Sequence, residues 1–366
     1  MIPLVDLGKQ YQNIKKEILQ KIEEVLESKA FILGEYVAEF ENKFAKLHNV
    51  KYCSGCSNGT SALFLALSAL GIKSGDEIIT TTHTFIATAE AICHVGAKPV
   101  FVDIDPKTYN IDISQIEKAI TEKTKAIIPV HIYGNPVDMI KINEIAKKYN
   151  LFVIEDAAQA HLAEFDGQKV GTFGNAATFS FFPGKNLGAY GDAGAVVSNS
   201  TDVIDVVRKL LDHGRSQKYL HELVGYNERM DGIQAGILLV KMKYIEEWTK
   251  KRIENAKIYN DLLKDNPAII IPFSEDKARH VYHLYVIQVN NRQAVMDYLK
   301  NKGITTSIHY PVPLHLQQAF SKFGYKKGDF PVAEEVSQKI LSLPMYPELN
   351  TEQIEFICDE ITKVVR

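Results

Sequence analysis

Three short segments of this chain carry residue types that do chemistry in combination. The first, Ser57-Asn58-Gly59-Thr60-Ser61, ends a strand-like pattern and opens the helical run Ala62–Leu70. A helix start offers N–H groups without intrahelical acceptors and a partial positive charge, and small side chains let an anion approach them. The segment is therefore a candidate phosphate cradle, although the same residues also read as an N-cap and a turn. No G-x-x-x-x-G-K is present, so it is not a Walker loop. The second segment, Leu151 to Asp156, is an apolar strand ending in two carboxylates, Glu155 and Asp156. Ligands of open α/β sheets bind beyond the carboxyl ends of the strands. A carboxylate there is costly to bury unless it faces a cation. The alternative is that Asp156 caps a following helix. The third segment, Ser180 to Gly188, sets Lys185 just past a buried strand and before the glycine-rich Ala189 to Gly194. An amine among apolar and aromatic neighbours loses solvation, which lowers its pKa and frees its lone pair for Schiff-base formation. A solvated loop lysine is the plainer alternative.

The combination says more than the parts. A phosphate cradle, a strand-end aspartate and a desolvated lysine on one α/β sheet are what pyridoxal phosphate requires of a protein. The lysine carries the cofactor aldehyde, the aspartate keeps the pyridine nitrogen protonated so that the ring can draw electrons, and the helix start holds the phosphate.

The elements that must position these residues follow from periodicity. The first two thirds of the chain alternate short apolar runs with amphipathic ones, the pattern of a mostly parallel sheet flanked by helices. Strands are expected at 51–54, 77–82, 99–104, 126–131, 151–155, 177–181 and 194–198. Helices are expected at 61–70, 85–95, 113–119 and 139–148, with an amphipathic N-terminal helix over 15–28. A long helical stretch over 231–263 leads into a smaller α+β region, with strands at 283–289 and 306–310 and helices at 293–302, 333–341 and 351–365. This gives a large cofactor-binding domain over 1–245, N-terminal helix included, and a small C-terminal domain over 246–366.

Composition narrows the class of protein. The chain has 366 residues, 46% hydrophobic and 24% charged, enough to bury the cores of two domains. Lys plus Arg number 42 against 45 for Asp plus Glu, so no basic surplus exists to neutralise a nucleic-acid backbone. No apolar run is long enough for a membrane span. The opening Met1 to Leu7 lacks the pattern of a secretory signal, so a cytoplasmic protein is expected. Four cysteines do not make a disulfide framework, and Cys53 and Cys56, though a C-x-x-C pair, lack a second ligand pair for zinc. They read as small, part-buried side chains. His48, His83, His94, His131 and His283 show no metal-ligand spacing and read as structural, so no metal is expected.

With these residues in view, the chain closely resembles the nucleotide-sugar aminotransferases of the DegT/StrS type, within fold type I of the pyridoxal phosphate enzymes. The resemblance runs through Val5 to Leu7, Phe31 to Gly34, Ser57 to Ala62, Thr84 to Thr88, Glu155 to His161, Ser180 to Gly194, Gly225 to Asp231 with Gln234 and Ala235, and His309 to Pro311. It implies an α/β fold type I transferase, with a large domain built on a mostly parallel sheet and a smaller α+β domain. It also implies that Lys185 carries the cofactor and shuttles a proton, and that Asp156 pairs with the pyridinium nitrogen. Gln159 would lie near the phenolic oxygen, Phe85 would stack on the ring, and Gly59, Thr60 and Ser180 would hold the phosphate. Asn227 would reach the phosphate of a neighbouring subunit, making the active unit a homodimer with shared sites. Arg229, His309 and Tyr310 would contact the nucleotide-sugar, again across the interface, with Arg215, Tyr219 and His221 as weaker candidates for its nucleotide end. One departure stands out. Leu162 occupies a position where the family usually has glycine, and a left-handed backbone there would disfavour it.

The reaction implied is a ping-pong transamination from L-glutamate to a keto-sugar linked to a nucleoside diphosphate. The loop Pro183 to Asp192 is most similar to relatives that aminate C3 of dTDP-linked 3-keto-6-deoxyhexoses. The expected product is a dTDP-3-amino-3,6-dideoxyhexose for surface-polysaccharide or glycan synthesis, with a UDP-linked 3-keto or 4-keto sugar as the fallback. Lys185 argues against a dehydratase branch that carries histidine there. A cyclitol aminotransferase and a non-catalytic sensor on the same fold are the other readings.

Overall fold

The computed structural model describes residues 1–365. Its centre is a seven-stranded sheet of β1 (Tyr52–Cys56), β2 (Glu77–Thr81), β3 (Lys98–Val102), β4 (Thr124–Ile128), β5 (Phe152–Asp156), β6 (Ala176–Ser180) and β7 (Gly194–Ser198), in the order β1-β7-β6-β5-β4-β2-β3. Strands β2 to β6 pair in parallel, and β7 runs against both its neighbours. The class is α/β with a mostly parallel sheet, as expected.

Period-two alternation sorts the strand side chains between two covered faces. Ile128 and Ile154 pack toward α3 (Gly59–Ala69), α4 (Ala87–His94) and α7 (Thr201–Leu211). Their neighbours Ile127 and Val153 pack toward α5 (Ile113–Ala119) and α6 (Met139–Tyr149). Further along the sheet, Phe179 and Val197 meet Phe40 and Phe44 of α2 (Glu35–His48) and Leu238 of α8 (Gly232–Lys241). The N-terminal helix α1 (Leu7–Ser28) starts eight residues earlier than its periodicity suggests, because the Asp6 carboxylate accepts the Lys9 N–H at 2.9 Å and caps it. Helix α2 was not anticipated, although Val37, Phe40 and Phe44 show its spacing.

A second unit holds α9 (Ile245–Leu263), α10 (Arg292–Asn301), α11 (Pro331–Lys339), α12 (Thr351–Val364) and an antiparallel sheet of β8 (Ile269–Ile270), β9 (Tyr285–Val289) and β10 (Ile340–Leu343). Ile2 joins its core, its N–H donating to the Gly303 carbonyl at 2.7 Å. Asp103, just beyond β3, accepts the N–H groups of Val332 and Ala333 at 2.9 Å each, a charged cap that ties α11 to the large sheet.

Two expectations for this region are corrected. The stretch 231–263 is not one helix: α8 buries Ile237 to Val240 against α1 and α2, while α9 packs on α12. One straight helix cannot face both cores, so the chain turns between Lys241 and Ile245. Residues 306–310 form no strand beyond an isolated bridge between Ser307 and Ser342. The partner of β9 is instead β10, an unbroken buried run that ends α11 at Lys339. Among the described residues no helix is long and apolar enough to cross a membrane.

Candidate active site

A cavity of about 540 Å³ opens at the carboxyl ends of β5 and β6, roofed by the second unit. It brings together Gly59, Thr60, Phe85, Asp156, Gln159, Ser180, Lys185, His309 and Tyr310. Nine of the expected site residues thus converge within one chain, and His309 and Tyr310, expected across an interface, line the cavity of Lys185 in their own chain.

At one end lies the start of α3. Asn58 caps it, its side-chain oxygen accepting the Ser61 N–H at 2.8 Å, which leaves the first-turn N–H groups of Gly59 and Thr60 for a ligand. A Cβ on Gly59 would fall 2.7 Å from Ser180 Cβ, so only glycine lets the helix start approach β6 this closely.

Alternation sends the two carboxylates of β5 to opposite faces. Asp156 points into the cavity and accepts from Thr88 Oγ1 at 2.8 Å and from the Ala158 N–H at 3.2 Å. No helix follows β5, so Asp156 closes a turn and caps nothing. Among the described residues no cation lies within ion-pairing distance of it. Burial raises its carboxyl pKa above the usual range, opposed by Thr88, Ala158 and Lys185. Glu155 is wholly enclosed on the other face, where it accepts the N–H groups of Gly171, Phe173 and Gly174 at 2.8–2.9 Å. It also meets His131 Nε2 at 3.2 Å. The Val137 N–H donates to His131 Nδ1 at 3.0 Å, so the ring proton sits on Nε2 and points at Glu155.

Lys185 follows β6 in a tightly tied loop. Its N–H donates to the Phe182 carbonyl at 2.8 Å, and the Ala189 N–H returns to Phe181 at 2.7 Å. Two groups on α8 grip the same loop: Lys241 Nζ, fully buried, donates to the Gly188 carbonyl at 2.6 Å, and Gln234 Oε1 accepts the Tyr190 N–H at 3.0 Å. Burial pulls the Lys185 amine down to about 8, against the pull of Asp156. Lys241 escaped the sequence reading, though a lysine ending the apolar run Ile237 to Val240 was its signal.

The far wall is formed by paired polar groups. Gln159 Oε1 accepts the Tyr133 N–H at 2.6 Å and its Nε2 donates to Tyr310 Oη at 3.1 Å, which turns the amide's donor end to the cavity. The ring of Phe85, half open to the cavity, lies 5.7 Å from that of Tyr310. His309 Nδ1 meets Ser342 Oγ at 2.8 Å, and burial together with Lys185 holds its pKa near 4, so the ring is neutral. Thr84, Thr88, Asp192 and His283 also line the space and were not singled out for it.

Five expected residues do not reach this cavity, among them His221, exposed on the hairpin that carries Arg215. Asn227 is exposed, and its side chain makes no hydrogen bond among the described residues. Arg229 pairs with Asp212 at 3.2 Å. Arg215 also pairs with Asp212, and Tyr219, 84% exposed, stands on the hairpin Arg215–Gln217/Leu220–His221. The segment is fixed to its own α3: Glu228 accepts from the hydroxyls of Ser57 and Ser61. Leu162 does adopt the left-handed backbone, at φ 64°, with its side chain fully buried in the aromatic core. Cys53 and Cys56 are free, buried thiols in β1 whose pKa burial raises, and no metal-binding cluster occurs among the described residues.

The donor set fits pyridoxal phosphate at each end: open N–H groups for the phosphate, an uncompensated buried carboxylate for a protonated ring nitrogen, and a desolvated amine between them. Comparison with known proteins gives the same picture. The sequence profile of the DegT/DnrJ/EryC1/StrS aminotransferase family matches residues 12–362. The chain is 47% identical to a pleiotropic regulatory protein of Geobacillus stearothermophilus, covering 100% of this chain and 99% of that protein. It is 44% identical to a dTDP-3-amino-3,6-dideoxy-α-D-galactopyranose transaminase of Aneurinibacillus thermoaerophilus, over 99% of both chains. It is 43% identical to a UDP-2-acetamido-2-deoxy-3-oxo-D-glucuronate aminotransferase of Pseudomonas aeruginosa, over 99% of this chain and 100% of that one. The crystal structure of DesV from S. venezuelae, in complex with a ketimine intermediate, superposes with a TM-score of 0.97 at 37% identity, covering 99% of this chain and 98% of that one.

Proposed function

This chain belongs to the DegT/DnrJ/EryC1/StrS aminotransferase family, and from that premise we propose that it moves the amino group of L-glutamate to a dTDP-linked 3-keto-6-deoxyhexose. The products are 2-oxoglutarate and a dTDP-3-amino-3,6-dideoxyhexose for glycan synthesis. Pyridoxal 5′-phosphate, when bound, supplies an aldehyde for the amine and a ring that takes up electrons. The observation that carries the reading is the Lys185 amine, its pKa lowered to about 8 by burial, in the same cavity as Asp156 and the open start of α3.

The roles of the chain's residues follow. Gly59, Thr60 and Ser180 hold the phosphate. Asp156 keeps a proton on the ring nitrogen, and a buried carboxylate without a cation is suited to that. Gln159, its amide oriented by Tyr133, offers an N–H to the phenolic oxygen, and Phe85 covers the ring face. Lys185 Nζ takes the proton from the donor's α-carbon and returns it on the acceptor side. His309 and Tyr310 line the sugar's path.

The active unit is a homodimer in the cytoplasm, each chain dividing into domains 1–245 and 246–366. The exposed Asn227 supports this, since its free amide is available to a second subunit's phosphate. Arg229, Arg215 and Tyr219 then meet the nucleotide-sugar in that neighbouring site. Mixing Asn227→Ala with Lys185→Ala subunits should restore one complete site per heterodimer. Heterodimers that form without regaining activity would sink the shared site.

A dTDP sugar is favoured by the likeness to the Aneurinibacillus enzyme, and a UDP-linked sugar is the second reading, supported by the comparable likeness to the Pseudomonas enzyme. Product analysis with L-glutamate and a panel of dTDP- and UDP-linked 3-keto and 4-keto sugars decides between them. Efficient amination of a 4-keto-6-deoxyhexose with its 3-keto isomer untouched would overturn the assignment of C3.

A further inference from the structure

Tyr133 stands one layer behind the cavity wall, past the end of β4, in left-handed backbone at φ 59°. The next residue, Gly134, is at φ 90°, and a Cβ on it would fall 2.7 Å from Val281 Cγ2 and 3.0 Å from the Gln159 carbonyl oxygen. The turn is therefore held in one shape from both sides. From it Tyr133 makes three hydrogen bonds: its N–H to Gln159 Oε1 at 2.6 Å, its hydroxyl to the His309 carbonyl, and its oxygen with His83 Nε2 at 2.7 Å.

Proton counting orders the last two. A carbonyl only accepts, so the single phenolic proton goes to His309, and His83 Nε2 must be the donor behind it. Burial keeps His83 neutral, holding its pKa near 4, which leaves one ring proton and places it on Nε2. The chain thus runs His83 Nε2–H to Tyr133 Oη–H to His309 O. The tyrosine ring is buried and lies edge-on to Tyr109 at 6.0 Å, which screens the hydroxyl and its partners from bulk solvent.

We propose that Tyr133, backed by His83, is a positioning residue that sets the His309–Tyr310 wall for the acceptor substrate. Its two functions sit on separable atoms. The backbone N–H orients Gln159 at the cofactor's edge, and the hydroxyl ties down the His309 carbonyl, the main-chain anchor of a wall whose side chains are held by Ser342 and Gln159. L-Glutamate is small and reacts beside Lys185, whereas a nucleotide-linked sugar must lie along that wall to present its carbonyl. Removing the hydroxyl should therefore injure one half of the reaction and spare the other. This inference rests on the nucleotide-sugar reading above.

The test is Tyr133→Phe holoenzyme, with the two half-reactions measured separately: 2-oxoglutarate release from L-glutamate in a single turnover, and consumption of the keto-sugar that the wild type uses best in the panel. Loss of one hydrogen bond should lower kcat/KM for the sugar roughly tenfold, through KM, and leave the glutamate half-reaction within about twofold. Equal losses in both halves, or none in either, would overturn the proposal. Should the variant fail to fold, His83→Phe should give the same one-sided loss in weaker form, and His83→Gln, which keeps an N–H donor, should recover most of it. A wild type that releases 2-oxoglutarate but aminates no sugar in the panel overturns the functional reading itself, an outcome distinct from a two-sided Tyr133→Phe effect.

Discussion

Glu155 and Asp156 are adjacent on one strand, equally hidden from water, and built for opposite purposes. Glu155 receives three backbone N–H groups and a histidine proton, and with them fastens residues 171–174 beneath the sheet. Asp156 receives two donors and faces a cavity that holds Lys185. A buried carboxylate with its donors complete is structure, because its charge is already compensated. One left short of donors beside open space is poised for a cation that arrives later. Burial alone does not distinguish the two; the count of donors does.

The contrast can be broken at several points. The largest effect belongs to Lys185→Ala, which should abolish turnover and the visible absorbance that borohydride otherwise traps, while circular dichroism remains that of the folded protein. Transamination near the wild-type rate would remove Lys185 from its role. Asp156→Asn should keep the cofactor but slow catalysis by about 10²-fold or more, since a neutral amide cannot hold the ring nitrogen protonated. Glu155→Gln should do the reverse. Its new N–H₂ opposes donors that had a carboxylate, which costs about 3 kcal/mol of stability in denaturant melts and leaves kcat near the wild-type value. A Glu155→Gln enzyme as stable as its parent would erase the distinction.

The pH dependence sharpens it further. Lys185 is a nucleophile only as the free amine, and with its pKa lowered to about 8, cofactor capture by the apoenzyme should rise as pH climbs through that value. The negative charge of Asp156 favours the ammonium form, so Asp156→Asn should move the midpoint downward and Glu155→Gln should leave it in place. A stopped-flow pH series on the three apoenzymes reads this directly.

The smallest expected effect concerns Leu162. Its left-handed backbone costs about 1–2 kcal/mol that glycine would relieve, but its fully buried side chain contributes about 2–5 kcal/mol. Leu162→Gly should therefore lose about 0–4 kcal/mol in denaturant melts. A gain in stability would mean that strain outweighs packing there.

Much of this site was legible from residue types in order. Asp156, Lys185 and the Ser57 to Ser61 turn each sit where a strand ends or a helix starts, and such junctions are marked by local periodicity and small residues. The strand pattern likewise announced the sheet, because alternation between two covered faces is a property of each segment alone. Other features had no local mark. Nothing in the dipeptide Glu155-Asp156 says which carboxylate faces the cavity and which finds four donors, since those donors come from residues 131 and 171–174, brought near only by the fold. The break between α8 and α9 depends on two cores distant in sequence. Lys241 and Tyr133 act through partners far along the chain, so their roles were invisible in sequence spacing. The sequence by itself determined which chemistry the chain carries, because nucleophile, carboxylate and phosphate turn are fixed by residue type. Only the tertiary structure decided which groups are left unpaired and which are satisfied, because hydrogen-bond partners and loss of solvent are supplied by neighbours in space.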